Sequence, residues 1–180
     1  MDEPYVYKIF FPDGKPSGEK KVWLYEMGIS TGEEGDKAIF TYPIKHYTFW
    51  QEEKSEMLTY GEMGENFSVL EMDEFTVFIG DTFQMGDAII QVSRPGVAKT
   101  KELRESMRTG WYFRVVQEGY VEEGTDLNLL DRPYPQWSIA ACNEIMYLNK
   151  HDLRLADELS SCRELATNWR VALRKRARGF

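Results

Sequence analysis

Arg94, Lys99 and Lys101 stand close together in the run SRPGVAKTKE and carry fixed positive charge. An ammonium with three donors and a planar guanidinium suit the oxygens of a phosphate or carboxylate, so this triplet is a candidate anion site. The competing reading is three solvated charges beside a helix start, the commoner fate of basic triplets. Arg114 lies in the strand-like run GWYFRVV and by alternation points away from Phe113, so it either lines a barrel mouth or meets solvent. His46, set near Tyr42 and Tyr47, is of a residue type that can deliver protons, although a histidine among aromatic rings is more often a hydrogen-bonded packing residue. Asn66 belongs to a Gly-Glu-Asn turn, where it faces a pocket or shapes the turn with its own side chain. These residue types name no catalytic group, and the chain has no Ser-His-Asp motif, P-loop, G-x-G-x-x-G fingerprint or zinc spacing.

The elements that must position them follow from composition and pattern. A chain of 180 residues with 42% hydrophobic and 14% aromatic content supplies a packed core for one domain with a small appendage. The net charge of −8 is uneven: residues 151–180 carry seven basic and four acidic side chains, a net of +3, leaving −11 for the rest. An acidic body argues against non-specific binding to nucleic acid or anionic membrane. No apolar run approaches the roughly 20 residues that span a bilayer, and MDEPYVYK lacks a signal-peptide pattern, so the expected location is cytoplasmic. Cys142 and Cys162 lie in helical patterns without C-x-x-C spacing and read as reduced thiols, with no metal ligands expected.

Residues 4–11 alternate and are followed by turn chemistry at Asp13-Gly14 and Pro16-Ser17-Gly18, which predicts a hairpin with residues 21–25. Residues 28–35 read as a loop, 38–42 as a strand, 44–53 as an aromatic helix and 57–64 as a second loop. Three strand-like runs fill 64–95, punctuated by turns at Ile79-Gly80-Asp81 and Met85-Gly86-Asp87. A charged helix over 101–107, a strand over 110–116, a turn at 119–121 and a strand over 127–130 follow. Arg132-Pro133-Tyr134-Pro135 then halts the last strand, and helices are expected over 139–149, 152–159 and 161–176. The architecture expected is a mainly β, α+β fold: a barrel-like domain over 1–132 with inserted helices, and a three-helix tail over 133–180.

The stretch GENFSVLEMDEFTVFIGDTFQMGDAIIQVSRP resembles the heart of a MOSC domain, and TYPIKHYTFW resembles that family's Tyr-Pro-x-x-His-Tyr segment. The tail resembles the small helical domain of the stand-alone YiiM-like branch. In that branch V-S-x-P-R continues into a Pro-Cys-x-Lys run whose thiolate binds the molybdenum cofactor. Counting from Val92-Ser93, the cysteine position falls on Lys99, the following lysine on Lys101 and the arginine on Gly96, and a protonated lysine has no lone pair for a metal. The run Glu34-Gly35-Asp36-Lys37-Ala38 stands where relatives carry His-Gly-Gly-Pro-Asp-Arg-Ala. The resemblance thus implies a pocket in which Lys99, Lys101, Arg94, Arg114, His46 and Asn66 meet a cofactor or another anion. Two functions follow. One is a degenerate member that holds an anionic small molecule, or a partner protein through the helical tail, without standard molybdenum ligation. The other is a molybdenum-cofactor-dependent reductase of N-hydroxylated compounds.

Overall fold

The computed structural model describes residues 3–29, 35–55 and 58–179. Its strands are β1 (Tyr5–Ile9), β2 (Val22–Tyr25), β3 (Gly28–Ile29), β4 (Ile39–Pro43), β5 (Phe67–Leu70), β6 (Thr82–Met85), β7 (Ala88–Pro95), β8 (Trp111–Gln117), β9 (Gly119–Val121) and β10 (Asn128–Asp131). Seven of them form one sheet in the order β1-β5-β4-β8-β7-β6-β10, curled into a half-barrel, and β3-β2-β9 form a second. Neighbours are antiparallel except β4 and β5, and a parallel pair needs a crossover, which α1 (Lys45–Lys54) supplies.

Two-residue periodicity decides what faces the core. Ile39 and Thr41 of β4 pair with Phe113 and Trp111 of β8, and all four are buried on the core side. The intervening Phe40, Tyr42, Tyr112 and Arg114 therefore project from the opposite face. Gly110 opens β8 at φ +64°, and a Cβ there would lie 2.3 Å from the Thr41 carbonyl oxygen, so only glycine fits. Gly96 is equally constrained, because a Cβ would sit 1.9 Å from the Thr109 carbonyl oxygen; no arginine can occupy that position on this backbone.

The helices start where small polar side chains accept orphan amides. Thr100 caps α2 (Lys101–Ser106) through the Leu103 N–H at 3.2 Å, and Ser138 caps α3 (Ile139–Asn143) through the Ala141 N–H at 3.0 Å. The helix expected over 139–149 widens at Glu144–Leu148 into a π turn, closed by the Asn149 N–H on the Glu144 carbonyl at 2.7 Å. Asp152 caps α4 (Leu153–Ser160). The final helix, α5 (Thr167–Ala177), begins six residues later than the pattern implies. The Ala166 N–H instead binds the Ser93 carbonyl at 2.8 Å, so the chain docks on β7 before turning helical. Ile139, Leu159, Trp169 and Leu173 share one apolar cluster with Val92 and Phe113.

Two other expectations are corrected. β1 and β2 are not a hairpin: β1 pairs with β5, where Val6 and Ile9 reach the main core, and β2 pairs with β3 and β9. Residues 119–121 are a strand rather than a turn, because Val121 and Gly119 register against Val22 and Leu24. Both errors concern pairing between distant segments, which local turn chemistry does not encode. Of the loop expected over 28–35, residues 28–29 form β3 and residues 30–34 lie outside the described residues, as does Met57 at the start of the second loop. No described helix is long and apolar enough to cross a membrane.

Candidate functional site

The face of β4 and β8 that carries Phe40 and Tyr112 opens into a cleft of about 470 Å³. The two rings lie 5.0 Å apart and tilted by 34°, and Tyr42 joins them in the lining. Lys37 and Ala38 line one part of the cleft before β4, and Lys99 and Leu103 another, on the path from β7 into α2. Lys37 and Lys99 have no ion-pair partner among the described residues, and no acidic side chain is among the described residues that line the cleft.

Asp36 places Lys37. One Asp36 oxygen accepts from Arg114 Nε at 3.1 Å and Nη2 at 2.7 Å, and the other accepts the Thr167 N–H at the start of α5 at 3.2 Å. The Ser93 hydroxyl donates to the Asp36 carbonyl. One residue thereby ties the cleft wall to β7, β8 and the tail.

Of the six residues singled out from the sequence, the structure brings Lys99 and Asn66 to the cleft. Asn66 is engaged there as scaffold: its Oδ1 accepts the Phe40 N–H at 2.9 Å and its Nδ2 donates to the Phe10 carbonyl at 3.3 Å. Lys101 projects from α2 into solvent, 3.6 Å from Glu105 one turn on. Arg94 is buried between the rings of Tyr112 and Trp169, 5.7 Å from each centroid, with Nε on the Pro95 carbonyl; burial lowers its pKa. Arg114 is occupied by Asp36 and by Gln91, at 2.7 Å. His46 lines a separate cavity of about 380 Å³, where its Nε2 lies 2.7 Å from Glu74 Oε1. Glu74 also accepts the Gly110 N–H at 2.8 Å, so the pair braces the turn into β8. Lys37 was not singled out, although the run Glu34-Gly35-Asp36-Lys37-Ala38 sets it on the arginine of the family's Asp-Arg-Ala; what places it at the cleft is the Asp36 to Arg114 contact, across 78 positions.

Behind the 63–66 loop, Glu65 is 2% exposed, and the Tyr47 hydroxyl lies 2.6 Å from each of its oxygens. Ser68 donates to it at 2.9 Å. Burial raises the pKa of both Glu65 and Tyr47, which favours the neutral form of each.

The donor set does not suit a thiolate-ligated metal. Met63, a neutral thioether, is the sole sulfur in the described lining. Cys142 and Cys162 are buried in the tail, and burial pushes the Cys162 thiol up to about 11 and the Cys142 thiol well above its ordinary value, so neither is a thiolate near neutral pH. The described residues contain no cluster of three His, Cys, Asp or Glu side chains able to hold a metal.

Comparison with known proteins agrees with this half-barrel and tail. A MOSC domain matches residues 28–98 and a YiiM-like 3-alpha helix domain matches residues 137–179. The protein YflK of Bacillus subtilis is 34% identical over 153 residues, which cover 78% of this chain and 69% of that one. The chain belongs to the MOSC-domain family. The crystal structure of YiiM from Geobacillus stearothermophilus has a TM-score of 0.82 at 29% identity, with 97% of each chain covered, so the likeness in fold reaches beyond the two matched segments. A Gibberella moniliformis protein named as a reductase is 30% identical over 159 residues, covering 79% of this chain but 28% of that protein. The MOSC match includes Lys37 and Asn66 and stops one residue short of Lys99.

Proposed function

We propose that this MOSC-family chain binds an anionic small molecule in the cleft through Lys99 and Lys37, without thiolate ligation of molybdenum. The observation that carries this reading is a pair of lysines, without an ion-pair partner among the described residues, in the lining of a cleft that also carries aromatic rings and offers no thiol. Arg94 and Arg114 contribute from behind: one stacks under Tyr112, the other anchors the Asp36 turn. A cleft of this size falls within the range that accommodates small ligands.

Calorimetric titration with inorganic phosphate at low salt tests it. Binding is expected, with Lys99→Ala and Lys37→Ala each weakening it roughly fivefold to tenfold. Added salt should weaken it further, since both ammonium groups are near solvent. Absence of phosphate binding overturns the reading. The alternative, a molybdenum-cofactor-dependent reductase of N-hydroxylated compounds, draws on the name of the fungal relative. Metal analysis of protein made in a molybdopterin-competent host decides between the two: stoichiometric molybdenum, lost in a Lys99→Ala, Lys101→Ala double variant, supports the reductase.

A further inference from the structure

We infer that the cavity of about 380 Å³ beside His46 is a binding site of its own, fitted to a small carboxylate that bears a hydroxyl or ammonium group on the neighbouring carbon. It lies between α1, the turn at 73–75 and the 106–108 segment after α2, and it shares no described lining residue with the first cleft. Its two carboxylates are engaged inside the protein. Asp73 holds Lys45 and accepts the Phe75 and Thr76 N–H groups at 2.8 and 3.2 Å. Glu74 meets His46 Nε2 with one oxygen, at 2.7 Å, and the Gly110 N–H with the other, at 2.8 Å. Two groups of the lining remain open. The Arg108 guanidinium lies over the Phe49 ring, with Cζ 3.5 Å from the centroid, and has no hydrogen bond or ion pair among the described residues, so the ring holds the group while its N–H donors stay available. His46 is the other. The residue is 5% exposed, and its Nδ1 has no partner among the described residues. Yet Nδ1 is not one of the described polar atoms sealed from solvent without a partner, which are Thr41 Oγ1, Trp111 Nε1 and Asn143 Oδ1. It therefore opens on the space that His46 lines, which is this cavity.

The two open groups select by class. With Glu74 as a carboxylate, Nε2 carries the donated proton and the neutral imidazole offers a lone pair at Nδ1, which calls for a donor on the ligand. A guanidinium with free N–H edges calls for a carboxylate. His46 and Phe49 stand three positions apart on α1, so the imidazole and the guanidinium stacked on Phe49 are neighbours on one helix face, within the span of a small molecule. A simple carboxylate leaves Nδ1 unmatched, an uncharged polyol leaves Arg108 unpaired, and a phosphate dianion meets repulsion from Asp73 and Glu74 in the same lining. Phe75, 66% exposed at the cavity, offers an apolar body a surface.

Calorimetric titration of the full chain with three matched carboxylates tests the site: mandelate carries a 2-hydroxyl, phenylglycine a 2-ammonium and phenylacetate neither. Mandelate or phenylglycine should bind about threefold to tenfold more tightly than phenylacetate, and the tighter of the two names the donor that His46 prefers. Arg108→Leu should weaken all three about tenfold or more, whereas Lys99→Ala should leave them unchanged. His46→Phe should remove the preference and keep phenylacetate binding. Phenylacetate binding the native chain as tightly as the other two overturns the role of His46 and the ligand class with it. Binding of none of the three overturns the site. Binding that survives Arg108→Leu but is lost in Lys99→Ala belongs to the first cleft and overturns the location. The ligand series on the native chain and the Arg108→Leu comparison stand even if His46→Phe does not fold.

Discussion

Glu65 has almost no contact with water, so its titration is coupled to folding. Its folded pKa is raised by burial above the unfolded value, so between the two the folded state holds a proton that the unfolded state has released. The sign follows: this carboxyl favours the folded state least at high pH, and stability is lost as pH rises from the ordinary carboxyl range through the raised value. Glu65→Gln keeps an acceptor for Tyr47 and Ser68 but cannot ionise. Its melting temperature should gain on the native chain as pH goes from 5 to 8, by about 2–4 °C, read from thermal melts across that range. At Lys99 the prediction concerns chemistry rather than stability. Lys99→Cys puts a soft anionic donor at the cleft and should hold more molybdenum than the native chain, measured by metal analysis of both proteins from the same molybdopterin-competent host. Lys99 was legible in the sequence because a charged residue stood where a thiol was expected. The roles of Arg94 and His46 were not, since residue type does not reveal that one is buried between rings and the other tied to Glu74.

At the level of elements, two carboxylates hold separate pieces together. Asp36 joins the cleft wall to β8 and α5, and Asp36→Ala leaves Arg114 without its carboxylate and the first turn of α5 short of an acceptor. Urea unfolding should show a loss of about 1–3 kcal/mol, accompanied by weaker phosphate binding because Lys37 loses its anchor. Asp81 is fully buried and takes two bonds from Arg132, at 2.9 and 3.0 Å, where β10 hands over to the tail; it also accepts the Phe78 N–H at 3.0 Å. Burial raises its pKa despite the guanidinium. Arg132→Ala strands that carboxyl and should destabilise the fold by roughly 2–4 kcal/mol, measurable in the same assay. Helix starts at Thr100, Ser138 and Asp152 were readable because a cap is a local contact. The late start of α5 was not, because it depends on a hydrogen bond to Ser93 in β7.

For the whole molecule, any ligand that prefers the folded state raises its melting temperature by mass action. Phosphate should therefore stabilise the native chain in a concentration-dependent way, and the effect should vanish in a Lys37→Ala, Lys99→Ala double variant, as followed by thermal melts at low salt. The curled sheet, its period-two faces and the helical tail were written in the order of apolar residues, glycines and caps, all of which act over a few positions. So was the absence of a thiol at position 99. The tertiary structure alone decided which charges reach the cleft. Lys37 is brought there by Asp36 and Arg114, whereas Lys101 is turned to solvent by the helix it begins and Arg94 is capped by Trp169 of the tail. Such outcomes depend on contacts between segments far apart in the chain, and these exist only after the sheet has closed and the tail has docked.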